Sequence, residues 1–198
     1  MTSPRSTLAA PAQLTQDVRK SRFLANAASA STPDAAIAFV TAVADAGATH
    51  NCWAYRTGQH YRFNDDGEPA GTAGKPILQA IDGQGLDEVV VVVTRWFGGI
   101  KLGAGGLMRA YGGCAAECLR GAAKRELIPT SDVEFDLGFS ALPLLHARLA
   151  DFDAWKLSET FVSDGAVLRV RVPTMRLDGL RALLADVSRG QCNVRVLD

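Results

Sequence analysis

The chain carries no excess of charge of either sign: 21 Lys and Arg balance 21 Asp and Glu over 198 residues, so the formal net charge is zero. A general electrostatic attraction to nucleic acid or to an anionic membrane is thereby excluded, and a polyanion site must be a local cluster of basic side chains. Cysteine is scarce: Cys52, Cys114, Cys118 and Cys192 are too few and too scattered for a secreted disulfide framework. Cys114 and Cys118 sit one helical turn apart on an apolar stripe and read as buried thiols. No apolar run approaches the ~20 residues a membrane span needs, so no membrane partner is expected. Residues 1–13 have neither a signal-peptide core nor periodicity and read as a flexible leader. These absences together predict a cytoplasmic protein.

What is abundant is glycine, and it is concentrated. Gly98, Gly99, Gly103, Gly105 and Gly106 crowd the segment after Glu88-Val-Val-Val-Val-Val-Thr94, which reads as a buried strand. Leu107, Tyr111, Cys114 and Cys118 follow at helical spacing, with Met108, Ala115, Leu119 and Ala122 beside them. Strand, glycine loop and helix start form an arrangement that aims free N–H groups at an anion, and Lys101 and Arg109 add charge to it. The glycine spacing matches neither the Walker motif nor the dinucleotide fingerprint, and loop packing alone explains it equally well.

A second cluster is acidic. Asp65, Asp66 and Glu68 stand on a turn-rich segment containing Pro69, Gly71 and Gly74. Three readings stay open: the carboxylates hold a divalent cation, pin the loop through backbone N–H groups, or meet a basic partner. Pinning is favoured because Asp and Asn in turns commonly bond nearby backbone, and a metal has no second ligand cluster to call on, so neither a metal nor a cofactor is expected. His50 and Cys52 fall on one face of a predicted strand; a cysteine–histidine pair competes there with a structural, hydrogen-bonded histidine.

Three motifs, His50-Asn-Cys-Trp-Ala-Tyr55, Asp65-Asp-Gly-Glu-Pro-Ala-Gly-Thr-Ala-Gly-Lys-Pro76 and Arg95-Trp-Phe-Gly-Gly-Ile-Lys-Leu-Gly-Ala-Gly-Gly-Leu-Met-Arg-Ala-Tyr111, together resemble the IMPACT/YigZ family. The resemblance is strong over about residues 15–123. It implies an α+β protein: an amino-terminal ribosomal protein S5 domain 2-like α/β sandwich, with a layer of helices on a four-stranded sheet, and a carboxy-terminal ferredoxin-like βαββαβ domain similar to the last domain of translocation elongation factors. Eukaryotic relatives regulate translation by competing for an activator of a stress-responsive initiation-factor kinase. Their additional amino-terminal partner-binding domain is expected to be missing here.

The element pattern agrees with two domains, 14–123 and 131–198, joined by a linker at 124–130. In the first, Lys20–Ser29 reads as a strand, and Thr32, Pro33 and Asp34 start a helix with Ile37, Val40, Val43 and Gly47 on its stripe. A hairpin at 51–63 and a helix opening at Lys75-Pro76 follow. The second reads strand, helix, strand, strand, helix, strand, the last at Cys192–Val196. Its Arg169, Arg171, Arg176, Arg181, Arg189 and Arg195 form either a basic face or a mixed surface, the latter being favoured because acids are equally numerous there.

The function expected is that of a non-enzymatic regulator linked to translation or stress response. Its partner is RNA, the ribosome or a translation-related protein, bound through the glycine-loop groove. The binding set is Asp65, Asp66, Glu68, Lys75, Arg95, Gly98, Gly99, Lys101, Gly103, Gly105, Gly106 and Arg109, with no catalytic residue assigned. Two alternatives are an enzyme acting on a phosphorylated small molecule with Mg2+, and a protein-interaction module with an apolar patch at Trp53, Trp96 and Phe97.

Overall fold

Five consecutive valines, Val89 to Val93, set the architecture, because every one of them is fully buried and a strand apolar on both faces must be covered on both. The computed structural model describes residues 5–197, and the chain is α+β. It divides into two compact units between Leu127 and Ile128.

In the first unit β2 (Ala12–Val18), β3 (Ser21–Ser29), β4 (His50–Thr57), β5 (His60–Asn64) and β6 (Val89–Trp96) form one sheet in the order β2-β3-β6-β4-β5, antiparallel throughout. Val89, Val91 and Val93 face α2 (Gly74–Gly83) and α3 (Ala104–Gly121), joined by Phe23, Cys52, Ile77, Ile81, Tyr111 and Leu119. Val90 and Val92 face α1 (Pro33–Val43) with Trp53 and Tyr55. The expected four strands under one helical layer are therefore corrected to five strands with helices on both faces. The fifth is β2, whose Leu14, Gln16 and Val18 are half-buried while Gln13, Thr15 and Asp17 are exposed.

Helix α1 starts as read, with the Thr32 hydroxyl accepting from Ala35 N at 3.1 Å. Its buried stripe is Ala36 with Phe39, Val40 and Val43, whereas Ile37 is exposed and Gly47 lies beyond the end of the helix.

The leader reading falls partly on residues 1–4, outside the described residues. From Arg5 onward it is corrected. β1 (Ser6–Leu8) pairs antiparallel with β7 (Lys124–Glu126), so part of the expected linker is strand as well. Thr7 and Leu8 are buried, the Thr7 hydroxyl donates to Glu88 O at 2.8 Å, and Arg5 bonds the buried Asp87 at 2.6 Å. Burial on a partner 115 or more residues away gives no local periodicity to read.

The second unit holds β8 (Thr130–Gly138), α4 (Leu142–Arg148), β9 (Trp155–Phe161), β10 (Gly165–Pro173), α5 (Leu177–Val187) and β11 (Arg195–Leu197). The sheet order is β11-β8-β10-β9, again antiparallel. Its core joins Val133, Phe135, Leu145, Leu168, Val170, Leu180 and Leu184. The last strand is shorter than Cys192–Val196 and begins at Arg195. Arg169 and Arg195 both pair with Glu134, Arg171 with Asp132, Arg176 with Asp153 and Arg181 with Asp178. That is the mixed surface, since these cations already have carboxylate partners. No helix among the described residues is long and apolar enough to cross a membrane.

Candidate functional site

The acidic turn is built to hold backbone. Asp65 Oδ1 accepts from Ala73 N at 3.0 Å and Gly74 N at 2.8 Å, while Oδ2 accepts from Gly71 N at 2.8 Å. Helix α2 has no side-chain cap of its own, so Asp65 supplies the missing acceptor from outside the helix. Asp66 Oδ2 accepts from Asn51 N at 2.6 Å, which ties the turn to β4. Among the described residues no three His, Cys, Asp or Glu side chains converge as metal ligands. Asp65 and Asp66 act as the pinning reading requires, because both Asp65 oxygens and Oδ2 of Asp66 accept from backbone N–H groups.

Glu68 and Arg95 do not face solvent as an exposed binding set would. Arg95 Nη1 donates to Glu68 Oε1 at 2.6 Å, with the two side chains only 6% and 4% exposed. Tyr111 donates its hydroxyl to the same oxygen at 2.8 Å, and Arg95 Nη2 donates to Ser21 Oγ at 3.3 Å. The Arg95 guanidinium lies between the rings of Phe23 and Phe97, 5.5 and 5.3 Å from their centroids. The second and third sequence motifs thus meet in one buried polar knot at the end of β6. These two charges are spent on each other because an unpaired ion there would be prohibitively desolvated.

His50 and Cys52 border the knot. His50 Nδ1 lies 2.7 Å from Asp66 O; a carbonyl only accepts, so Nδ1 carries the proton. Cys52 Sγ donates to Asp65 O at 3.0 Å. Burial pushes the Cys52 thiol up to about 12, opposed by the Tyr111 hydrogen bond and reinforced by the nearby carboxylates. Burial also pushes the Tyr111 phenol far above its ordinary range, aided by Cys52 and Glu68. At pH 8 Cys52 is held as the thiol and not as the thiolate, the form that reacts. Iodoacetamide at that pH is therefore expected to leave Cys52 unmodified in the folded protein and to modify it after unfolding, as read by peptide mass spectrometry. Rapid native alkylation would revive the cysteine–histidine pair.

The glycine loop leads from Trp96 to α3, as the sequence predicts. Gly98 lies against the β2–β3 turn so tightly that a Cβ on it would fall 1.8 Å from Lys20 O. Gly103, at φ 70°, is the N-cap of α3 and offers no side-chain cap. The first helical bond comes from Leu107 N to Gly103 O, so the N–H groups of Ala104, Gly105 and Gly106 have no helical acceptor. Gly99 and Lys101 are exposed on the loop. Lys75 is exposed in the first turn of α2, and it does not line the groove described next.

That groove, of about 490 Å³, runs along the outer face of α3 beside β2. Its floor is made of small residues, Gly106, Ala110, Gly113 and Ala116, and its walls carry Arg19, Arg109 and Arg120 against the single acid Glu117. Arg109 lies back over Gly105, with Nη1 3.6 Å from where a Cβ would stand. Among the described residues none of these three arginines makes an ion pair, whereas most arginines of the second unit do. Of the predicted binding set the groove gathers Gly106 and Arg109. Arg19 and Arg120 were not in that set. Arg120 follows Arg109 by eleven residues, about three helical turns, a spacing visible in the sequence; Arg19 joins only because β2 exists.

Comparison with known proteins bears on the same segment. The family described as Impact N-terminal domain matches residues 19–119. A Thermus thermophilus protein described as an IMPACT family member in a pol 5' region is 46% identical over 176 residues, covering 88% of this chain and 97% of that protein. YigZ of Escherichia coli K12, described as an IMPACT family member, is 36% identical over 197 residues, 96% of each chain. The Dictyostelium discoideum protein IMPACT homolog is 44% identical over 61 residues, 28% of this chain and 17% of that protein. A crystal structure of a hypothetical protein superposes with a TM-score of 0.83 at 34% identity, covering 100% of this chain and 99% of that one.

Proposed function

The chain belongs to the IMPACT family, and from that premise we propose that it is a non-enzymatic cytoplasmic binding protein linked to translation or stress response, holding RNA or the ribosome by phosphate contacts in the α3 groove. The observation that carries the reading is the set of three unpaired arginines, Arg19, Arg109 and Arg120, around a floor of small residues. In a chain of zero net charge, cations left without carboxylate partners along one groove are the local patch that polyanion binding requires. The free N–H groups at the start of α3 add to it.

We further infer that the first unit is S5 domain 2-like and the second ferredoxin-like, the latter from its element order and its sheet order β11-β8-β10-β9. Both are fold-level analogies and do not by themselves choose a function. The magnesium-enzyme reading loses ground because Asp65 and Asp66 are engaged with backbone and Glu68 with Arg95. The apolar-patch reading loses Trp53, which is buried beneath α1.

The test is co-sedimentation with ribosomes and ribosomal RNA at about 50 and about 200 mM salt, comparing wild type with Arg109→Ala/Arg120→Ala. Three phosphate contacts predict binding ~20–40-fold weaker after that fourfold rise in salt. The variant, folded because both side chains are exposed, is expected to lose most of the binding and most of its salt dependence. Wild type remaining at the top of the gradient at both salts would end the proposal.

A further inference from the structure

We propose that Arg19 and Lys20, the two residues of the β2–β3 turn, are polyanion-binding residues presented by a strained backbone; this deepens the groove reading and rests on it. The register pairs Val18 with Ser21, so Arg19 and Lys20 are the central residues of a two-residue hairpin turn. Both have positive φ, 44° and 68°. That geometry matches the twist of the strands but suits Asn-Gly, whereas long side chains adopt it at a conformational cost. Strain of this kind persists only where the surroundings over-determine it, and it marks places where side chains are wanted for another purpose.

The surroundings here do over-determine it. The buried Ser21 hydroxyl accepts from Gly98 N and from Arg95 Nη2, each at 3.3 Å, and the Gly98 backbone presses on the Lys20 carbonyl. The glycine loop and the buried knot therefore clamp the turn in place. What the clamp presents is two adjacent cations: Arg19 on the groove wall and Lys20 exposed beside it, neither in an ion pair among the described residues. Arg22, two residues beyond Lys20, stacks on Trp96 at 4.5 Å. The acids near this edge are Asp17 on β2 and Glu117 across the groove, so the cations outnumber them.

The groove wall contains no aromatic side chain, which leaves bases nothing to stack on. The occupant that fits is a sugar–phosphate backbone, that of RNA on the function proposed above, read by charge and not by sequence.

The experiment replaces the turn by the sequence its backbone prefers, Arg19→Asn/Lys20→Gly, and measures two quantities. Thermal unfolding is expected to rise by about 2–8 °C, because the strain is relieved. Anisotropy of a fluorescein-labelled RNA oligomer is expected to report affinity ~10-fold lower or worse, with the logarithmic salt slope shallower by about 1.4, two single-strand contacts. Arg62→Glu makes the same change of charge on β5, at the opposite edge of the sheet from β2, and is expected to change affinity less than about twofold. Undiminished RNA binding by the turn variant overturns the proposal, as does an equal loss in the control variant. A lowered melting temperature refutes the strain. If wild type binds no RNA even at low salt, the groove reading falls and takes this inference with it; if wild type binds and only the turn variant is indifferent, the groove reading survives alone.

Discussion

Replacing Glu68 by alanine is expected to destabilise the amino-terminal unit by roughly 3–5 kcal/mol, read as a lowered urea midpoint at unchanged slope. Two groups depend on the one carboxylate: the Arg95 guanidinium at 2.6 Å and the Tyr111 hydroxyl at 2.8 Å. Arg95 Nε already has no hydrogen-bond partner among the described residues, so the remaining bonds to Glu68 and Ser21 carry its whole charge. Removing the acid leaves a cation 6% exposed between two aromatic rings, where water cannot replace the lost oxygen. Since a domain of this size is stable by only about 5–15 kcal/mol, the variant is expected to be partly unfolded at 37 °C. Glu68→Leu/Arg95→Met removes both charges together and should recover much of the loss, because a buried pair is costly chiefly when half of it is missing. An alanine variant as stable as wild type would mean that water reaches the knot.

The second large effect is steric. Gly98→Ala would place a methyl 1.8 Å from Lys20 O, 2.1 Å from Lys20 C and 2.7 Å from Ser21 N. All three atoms are backbone, and β2 and β3 fix them on either side of the turn, so no side chain can swing away. The loop or the hairpin must move, at an expected cost of ~3 kcal/mol or more. Gly113→Ala is the matched contrast. It meets nothing within 4 Å and lies within α3, so the same substitution should stabilise by about 0.5–1 kcal/mol. Equal denaturation midpoints for the two variants would refute the close approach of loop and turn. The Gly98 variant is also expected to weaken RNA binding beyond its effect on folding, because Lys20 and Arg19 stand on the displaced turn.

Much of this protein is written locally. The Thr32-Pro33-Asp34 start of α1, the valine run of β6, the glycine loop ending at α3 and the alternation of β8 and β10 each follow from a few adjacent residues, because capping, pleat and helical period are short-range properties. The pinning role of Asp65 was legible too, since a short acid beside glycine-rich turns bonds nearby N–H groups. β2 was half-legible: the alternation of Leu14, Gln16 and Val18 is present, but its weakly apolar inner face reads as readily as a loose segment.

What the residues could not say alone was which charges are free. Arg95 and Arg109 look alike in the sequence, both basic and both beside the glycine loop. Only the β3–β6–β4 register brings Glu68, 27 positions away, against Arg95 and buries the pair, while Arg109 is left exposed on the far side of α3 beside a strand that starts at Ala12. The sequence by itself determined the helices and the central strands, the glycine loop and the family, because those rest on neighbours along the chain, whereas β1, β2 and β7 rest on distant partners. The tertiary structure decided which charges are paired, because whether an ion pairs in the interior or faces solvent depends on desolvation, and desolvation is set by segments that meet only when the sheet has closed.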